Sequence, residues 1–223
     1  MDNTKWYLNL KSPLGGQTYD EWLRRDDVDA VAAMCRFFME DDPVHHTLRK
    51  ITAKLDELGV AYAVAGGMAL GAHHFVRATV DVDILVNLEG LKKVHDHLDG
   101  LGFVAPFAGS RNLKDVETGV RVEFLLEGQF PGDGKPKPVA FPKPGEASEL
   151  INGIRYLRLP ALIELKLASG MTNPGRLRDL ADVQELIRVR ALPREFAQQL
   201  NPFVRGKFDE LWQGIASAPQ PEE

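Results

Sequence analysis

The chain has a single cysteine, Cys35, among 223 residues, so no disulfide can close within it. That fits a reducing compartment and sets a cytoplasmic expectation. Cys35 falls in an apolar-periodic stretch and reads as a small core residue. No apolar run is long enough to cross a bilayer, and the opening Met1-Asp-Asn-Thr-Lys-Trp6 lacks a secretory pattern, so no membrane partner is expected. There is no excess of basic charge. The net charge of −5 argues against broad, unspecific nucleic-acid binding, which needs cationic surface, though it leaves room for a local basic groove. There is no Gly-x-x-x-x-Gly-Lys-Ser/Thr phosphate loop and no Gly-x-Ser-x-Gly elbow. The histidines, including His73, His74, His95 and His97, show no zinc-ligand spacing and read as structural or surface residues.

What is present is concentrated in residues 65–86. A Gly66-Gly67 pair follows a short apolar run, and Asp81-Val82-Asp83 opens a second one. Side chains alternate faces along a strand, so Asp81 and Asp83 point one way while Val80, Val82 and Ile84 point the other. Two carboxylates on one face of an apolar strand are costly unless something positive lies between them. A divalent cation is the simplest such partner. An exposed edge strand with solvated carboxylates is the plainer alternative, but the unbroken run Ile84-Leu85-Val86 suits a central strand better.

Periodicity sets the rest. Residues 19–40 have helical spacing, and a second helix starts at Asp42-Pro43 and stops at Gly59. Residues 60–65 read as a strand, 68–75 as a short helix, 80–87 as a strand and 88–101 as an amphipathic helix. Residues 112–126 read as a hairpin turning at Glu117-Thr118-Gly119. The Pro-, Gly- and Lys-rich residues 131–145, with Lys135, Lys137 and Lys143, read as an exposed, solvated loop or a flexible flap. A last strand at 154–159 precedes helices at 160–169, 176–190, 193–200 and 203–215. The expected fold class is α+β, a small mixed β-sheet flanked by helices. The expected organisation is a helical extension over 1–45, a core over 46–159, a helical module over 160–215 and a disordered tail over 216–223.

The ordered set Gly66-Gly67-Met68-Ala69-Leu70, Arg77-Ala78-Thr79, Asp81-Val82-Asp83, Lys166 and Arg176-Leu-Arg178-Asp179-Leu-Ala-Asp182 resembles the nucleotidyltransferase superfamily with its poly(A) polymerase-like core. The closer likeness is to abortive-infection type nucleotidyltransferases, which include toxins of toxin–antitoxin pairs. The resemblance spans roughly residues 60–186. Each motif alone is weak; their order in one chain carries the likeness.

The resemblance implies a transferase that moves an NMP from an NTP to a hydroxyl acceptor, with Mg²⁺ (or Mn²⁺) as cofactor. Asp81, Asp83 and Glu123 would be the catalytic and metal-holding carboxylates, Glu123 also helping to deprotonate the acceptor. Glu123 is equally a residue that a hairpin strand could expose. Gly66 and Gly67 would cradle phosphates, helped by the following helix; many relatives have Ser at the second position, where Gly67 offers backbone alone. Arg77, Lys166, Arg178 and Asp182 would complete the nucleotide site, Arg77 meeting phosphate or Asp83. Lys166 could instead snorkel along its helix, and Arg178 and Asp182 stand at the i,i+4 spacing of an intrahelical ion pair. The acceptor stays open among a small molecule, tRNA and protein, and an antitoxin is an implied partner. The alternative is a catalytically inactive nucleotide-binding or protein-interaction module of the same fold.

Overall fold

The computed structural model describes residues 17–25 and 28–217. The irregular start expected for residues 1–16 and the tail from 218 onward lie outside the described residues. The sheet has seven strands in the order β3-β4-β5-β2-β1-β7-β6. These are β1 (Tyr62–Val64), β2 (Asp81–Val86), β3 (Phe103–Val104), β4 (Leu113–Asp115), β5 (Arg121–Leu126), β6 (Ser148–Ile151) and β7 (Ile154–Leu157). β2 is parallel to β5 and antiparallel to β1, while β1 is parallel to β7. The fold is thus the expected α+β class with a mixed sheet.

Helices flank it: α1 (Tyr19–Leu23), α2 (Ala30–Phe38), α3 (Pro43–Glu57), α4 (Gly66–Ala72), α5 (Leu88–Leu98), α6 (Pro144–Ala147), α7 (Leu159–Thr172), α8 (Leu177–Val189) and α9 (Pro202–Ala216). Starts follow capping chemistry. Asp42 caps α3 by accepting from Val44 N–H, with Pro43 at a position that needs no donor. Asn87 caps α5 through Gly90 N–H at 2.7 Å. One core runs through the molecule, from Ile51 and Leu55 of α3 through Val82, Ile84 and Phe124 of the sheet to Leu162 and Leu167 of α7 and Phe208 of α9.

The structure departs from the sequence reading at several places. The helical stretch 19–40 divides into α1 and α2. Cys35 is exposed, because α2 turns Ala33 and Phe37 inward and leaves Cys35 on its outer side. Residues 131–145 are tied down: Phe141 N–H donates to Gln129 O at 2.8 Å, Asn201 Nδ2 donates to Pro138 O at 3.1 Å, and Val139 is buried. Lys137 is spent on Asp133 and Pro131 O, and Lys143 on Glu146, so these two lysines are internally paired. The expected hairpin is present as β4 and β5, closed by Gly119 N–H on Asp115 O.

Candidate active site

The site grows from the register of two parallel strands. Asp81 stands opposite Arg121 and Asp83 opposite Glu123, so the four side chains share one sheet face. Val82, Ile84 and Phe124 fill the other face and are fully buried. β2 and β5 are therefore interior strands whose half-buried rungs carry charge.

The glycine pair closes on this face from the end of β1. Ala65 N–H donates to Asp83 O at 2.9 Å, which brings Gly66 against the Asp83 side chain. Gly66 has φ +57°, and a Cβ there would lie 1.7 Å from Asp83 Oδ2. No other residue fits both constraints. A Cβ on Gly67 would meet Thr79 Cβ at 2.8 Å, and Thr79 Oγ1 donates to Asp81 Oδ1 at 2.8 Å. Gly67 thus leaves room for the residue that orients Asp81. Thr79 and Arg121 are site neighbours beyond those the sequence reading names; the Arg-x-Thr motif holds a signal for the first, and nothing in the sequence marks the second.

Burial, then repulsion from Asp81 and Glu123, pushes the Asp83 carboxyl up to about 7, with Lys166 and Arg176 pulling the other way. The face holds more negative charge than it can keep ionised alone. Glu123 has Arg121 at 3.8 Å.

Cations enter from the helical side. Lys166, buried on α7, donates to Asp179 at 3.0 Å and to Asp182 at 2.7 Å. Arg77 clamps Asp182 in bidentate fashion, Nε at 2.7 Å and Nη2 at 2.9 Å. Burial would raise the Asp182 carboxyl, but Arg77 and Lys166 outweigh it and hold it below the usual range. Ser169 Oγ donates to Asp179 at 2.6 Å and completes the cluster. Two sequence readings change here. Arg77 pairs with Asp182 and not with Asp83, and Asp182 is taken by Arg77 and Lys166 and not by Arg178. Asp182 consequently stands behind the two cations as their anchor. Arg176 and Arg178 are exposed on the cleft wall.

These groups line one cleft of about 590 Å³: Gly66, Gly67, Arg77, Asp81, Asp83, Glu123, Lys166 and Arg178 all face it, and Asp182 lies just behind. Asp20 of α1 and Arg24, which caps its end, also reach it, which the reading of that segment as an extension gave no sign of. Asp81, Asp83 and Glu123 dominate the sheet side, and Arg77, Lys166, Arg176 and Arg178 bring positive charge to the other, with Asp179 and Ser169 among them. Among the described residues, no three Asp, Glu, His or Cys side chains form a ready-made metal cage. That still fits Mg²⁺, which is commonly held by one or two carboxylates together with water and substrate phosphate. The arrangement suits a polyanion bridged to carboxylates through a hard cation.

No protein-family model matches the chain, and no curated protein matches it in sequence. Solved structures of similar shape include two at low identity. One is ANT(2")-Ia in complex with adenylyl-2"-tobramycin, at 14% identity and a TM-score of 0.49, covering 74% of this chain and 96% of that one. The other is a protein from H. pylori designated a nucleotidyltransferase, at 14% identity and a TM-score of 0.43, covering 75% of this chain and 90% of that one.

Among the described residues, no helix is long and apolar enough to cross a membrane.

Proposed function

We propose that the chain is a nucleotidyltransferase that moves an NMP from an NTP to a hydroxyl acceptor. The observation that carries this reading is the packing of Gly66 against Asp83 on the face shared with Asp81 and Glu123. It sets bare backbone beside carboxylates, with Lys166 and Arg77 across the same cleft.

In the reaction the acceptor oxygen bonds to the α-phosphorus, the bond from phosphorus to the bridging oxygen breaks, and pyrophosphate leaves. Backbone N–H groups at Gly66 and Gly67 approach the phosphates closely because no side chain intervenes. Lys166 and Arg77 neutralise the triphosphate, with Arg178 at the rim. Glu123 takes the proton of the acceptor hydroxyl. Asp81, Asp83 and Glu123 would hold Mg²⁺ (or Mn²⁺), which when bound supplies charge neutralisation at the attacking and leaving oxygens. Thr79 and Asp182 are positioning residues, for Asp81 and for the two cations.

A melting series with each NTP, with and without Mg²⁺, tests the site. Ligand at ~100 times its dissociation constant stabilises by about 2.7 kcal/mol. The expected result is an upward shift that needs Mg²⁺ and vanishes in Asp81→Ala. An unchanged shift in Asp81→Ala removes the assignment. Toxin-like action in the cytoplasm and a partner antitoxin rest on the motif order. Growth arrest on expression, relieved by Asp83→Asn, is the outcome they require, and harmless expression counts against them.

A further inference from the structure

A second cleft, of about 740 Å³, lies on the other side of α4. It shares Gly67 and Arg77 with the first and is otherwise walled by α2, α3 and the β6–β7 hairpin. Nothing in the transfer chemistry uses it.

Its walls combine three kinds of group. The first is aromatic. Phe38 is 54% exposed and stands edge-on to buried Phe37 at 5.9 Å, with Val76 exposed nearby in the same lining. A large ring left half in water beside an apolar wall offers a stacking surface. The second is an unused hydroxyl. Tyr156 is only 9% exposed and lines the cleft, yet its hydroxyl makes no hydrogen bond among the described residues. The ring is packed into the wall while the hydroxyl is not sealed from the cleft, so it is free for a ligand. The third is charge of both signs at the rim. Among the described residues Arg49 and Arg190 form no ion pair, Arg49 donating only to Glu40 O at 3.4 Å. Glu40 and Glu149 are likewise unpaired in the same lining.

We propose that this second cleft binds a nucleoside monophosphate. A planar base stacks on Phe38. The phosphate meets Arg49 and Arg190, and ribose hydroxyls or a base amine donate to Glu40 or Glu149. Tyr156 supplies one further hydrogen bond. A purely apolar ligand leaves four charges unused, and a polycation meets both arginines. The volume lies within the range of small-molecule sites. Binding here does not require turnover in the first cleft, so the site stands or falls separately from the transferase reading.

Calorimetric titration with AMP, GMP, CMP and UMP in EDTA isolates this cleft from any Mg²⁺-dependent binding. At least one monophosphate is expected to bind wild type and Asp83→Asn alike. Arg190→Glu and Phe38→Ala should each weaken it at least tenfold, and Tyr156→Phe a few-fold, with melting temperatures reporting that the variants are folded. All three positions are at the cleft lining, outside the candidate active site. No binding by any of the four overturns the proposal. So does binding that is lost in Asp83→Asn and indifferent to Arg190→Glu, which would place the ligand in the first cleft. If the bound monophosphate becomes labelled when α-labelled NTP and Mg²⁺ are added, the occupant is the acceptor. If it stays unlabelled and changes the transfer rate, it is an effector.

Discussion

Gly66 and Asp83 constrain each other more tightly than any other pair in the cleft. A methyl group on Gly66 overlaps Asp83 Oδ2, and φ +57° is a conformation that L residues adopt at a cost. Gly66→Ala should destabilise by about 1–3 kcal/mol and abolish Mg²⁺–NTP binding; calorimetric melting and the NTP shift read both. An unchanged melt together with an unchanged NTP shift would remove this pairing from the account. Asp83 gives a pH dependence of definite sign. Its folded carboxyl titrates near 7, above the ordinary carboxylate range, so the folded state holds the proton more tightly than the unfolded chain. Stability from this group is present at low pH and is lost as pH rises towards 7. Asp83→Asn removes the penalty. Without metal it should therefore melt higher than wild type at pH 8, by on the order of 2 kcal/mol after discounting for solvent contact, with the gap closing towards pH 4. A gap that widens on acidification would contradict the assignment.

Among the elements, α7 and α8 supply what the sheet lacks. Asp182 is almost fully buried and accepts from Arg77 and Lys166 at once. Removing it strands two cations in a half-dry cleft. Asp182→Ala should cost about 3–5 kcal/mol, seen as a lower melting temperature, and should weaken NTP binding through misplaced cations. An effect on neither would show that the pair is ornamental. The acidic strand, the glycine turn and the hairpin were legible because each is local: alternation, a Gly-Gly pair and a turn lie within a few residues. The two-residue strand β3 and the strand β6 carried no such pattern and form by pairing with β4 and β7. The Arg77–Asp182 clamp joins residues far apart in sequence, and the i,i+4 spacing offered Arg178 as the nearer partner for Asp182. Only the packing of α8 against α7 decides between them. The same holds for Asp20 and Arg24, which α1 brings to the cleft by docking Tyr19 N–H on Gly119 O at 3.1 Å.

At the scale of the whole molecule, the cleft is built across the boundary that the sequence suggests near residue 159. Arg77 precedes it, Lys166 and Asp182 follow it, and Leu162, Ile163 and Leu167 share one core with β2 and β5. The chain should therefore unfold in a single calorimetric transition, and a chain ending at residue 159 should lose cooperative melting. Two separated transitions would instead make the helical part an independent unit. The sheet brings Asp81, Asp83 and Glu123, α7 brings Lys166, and the proposed nucleotide transfer needs both. The measurement that tests this most directly is transfer of label from α-labelled NTP, with pyrophosphate release followed in parallel, by wild type and Asp83→Asn across protein, tRNA and small-molecule acceptors. The expected result is Mg²⁺-dependent incorporation into one acceptor class with stoichiometric pyrophosphate, and its loss in Asp83→Asn. Incorporation that persists in Asp83→Asn, or NTP binding with no product on any acceptor, would contradict it.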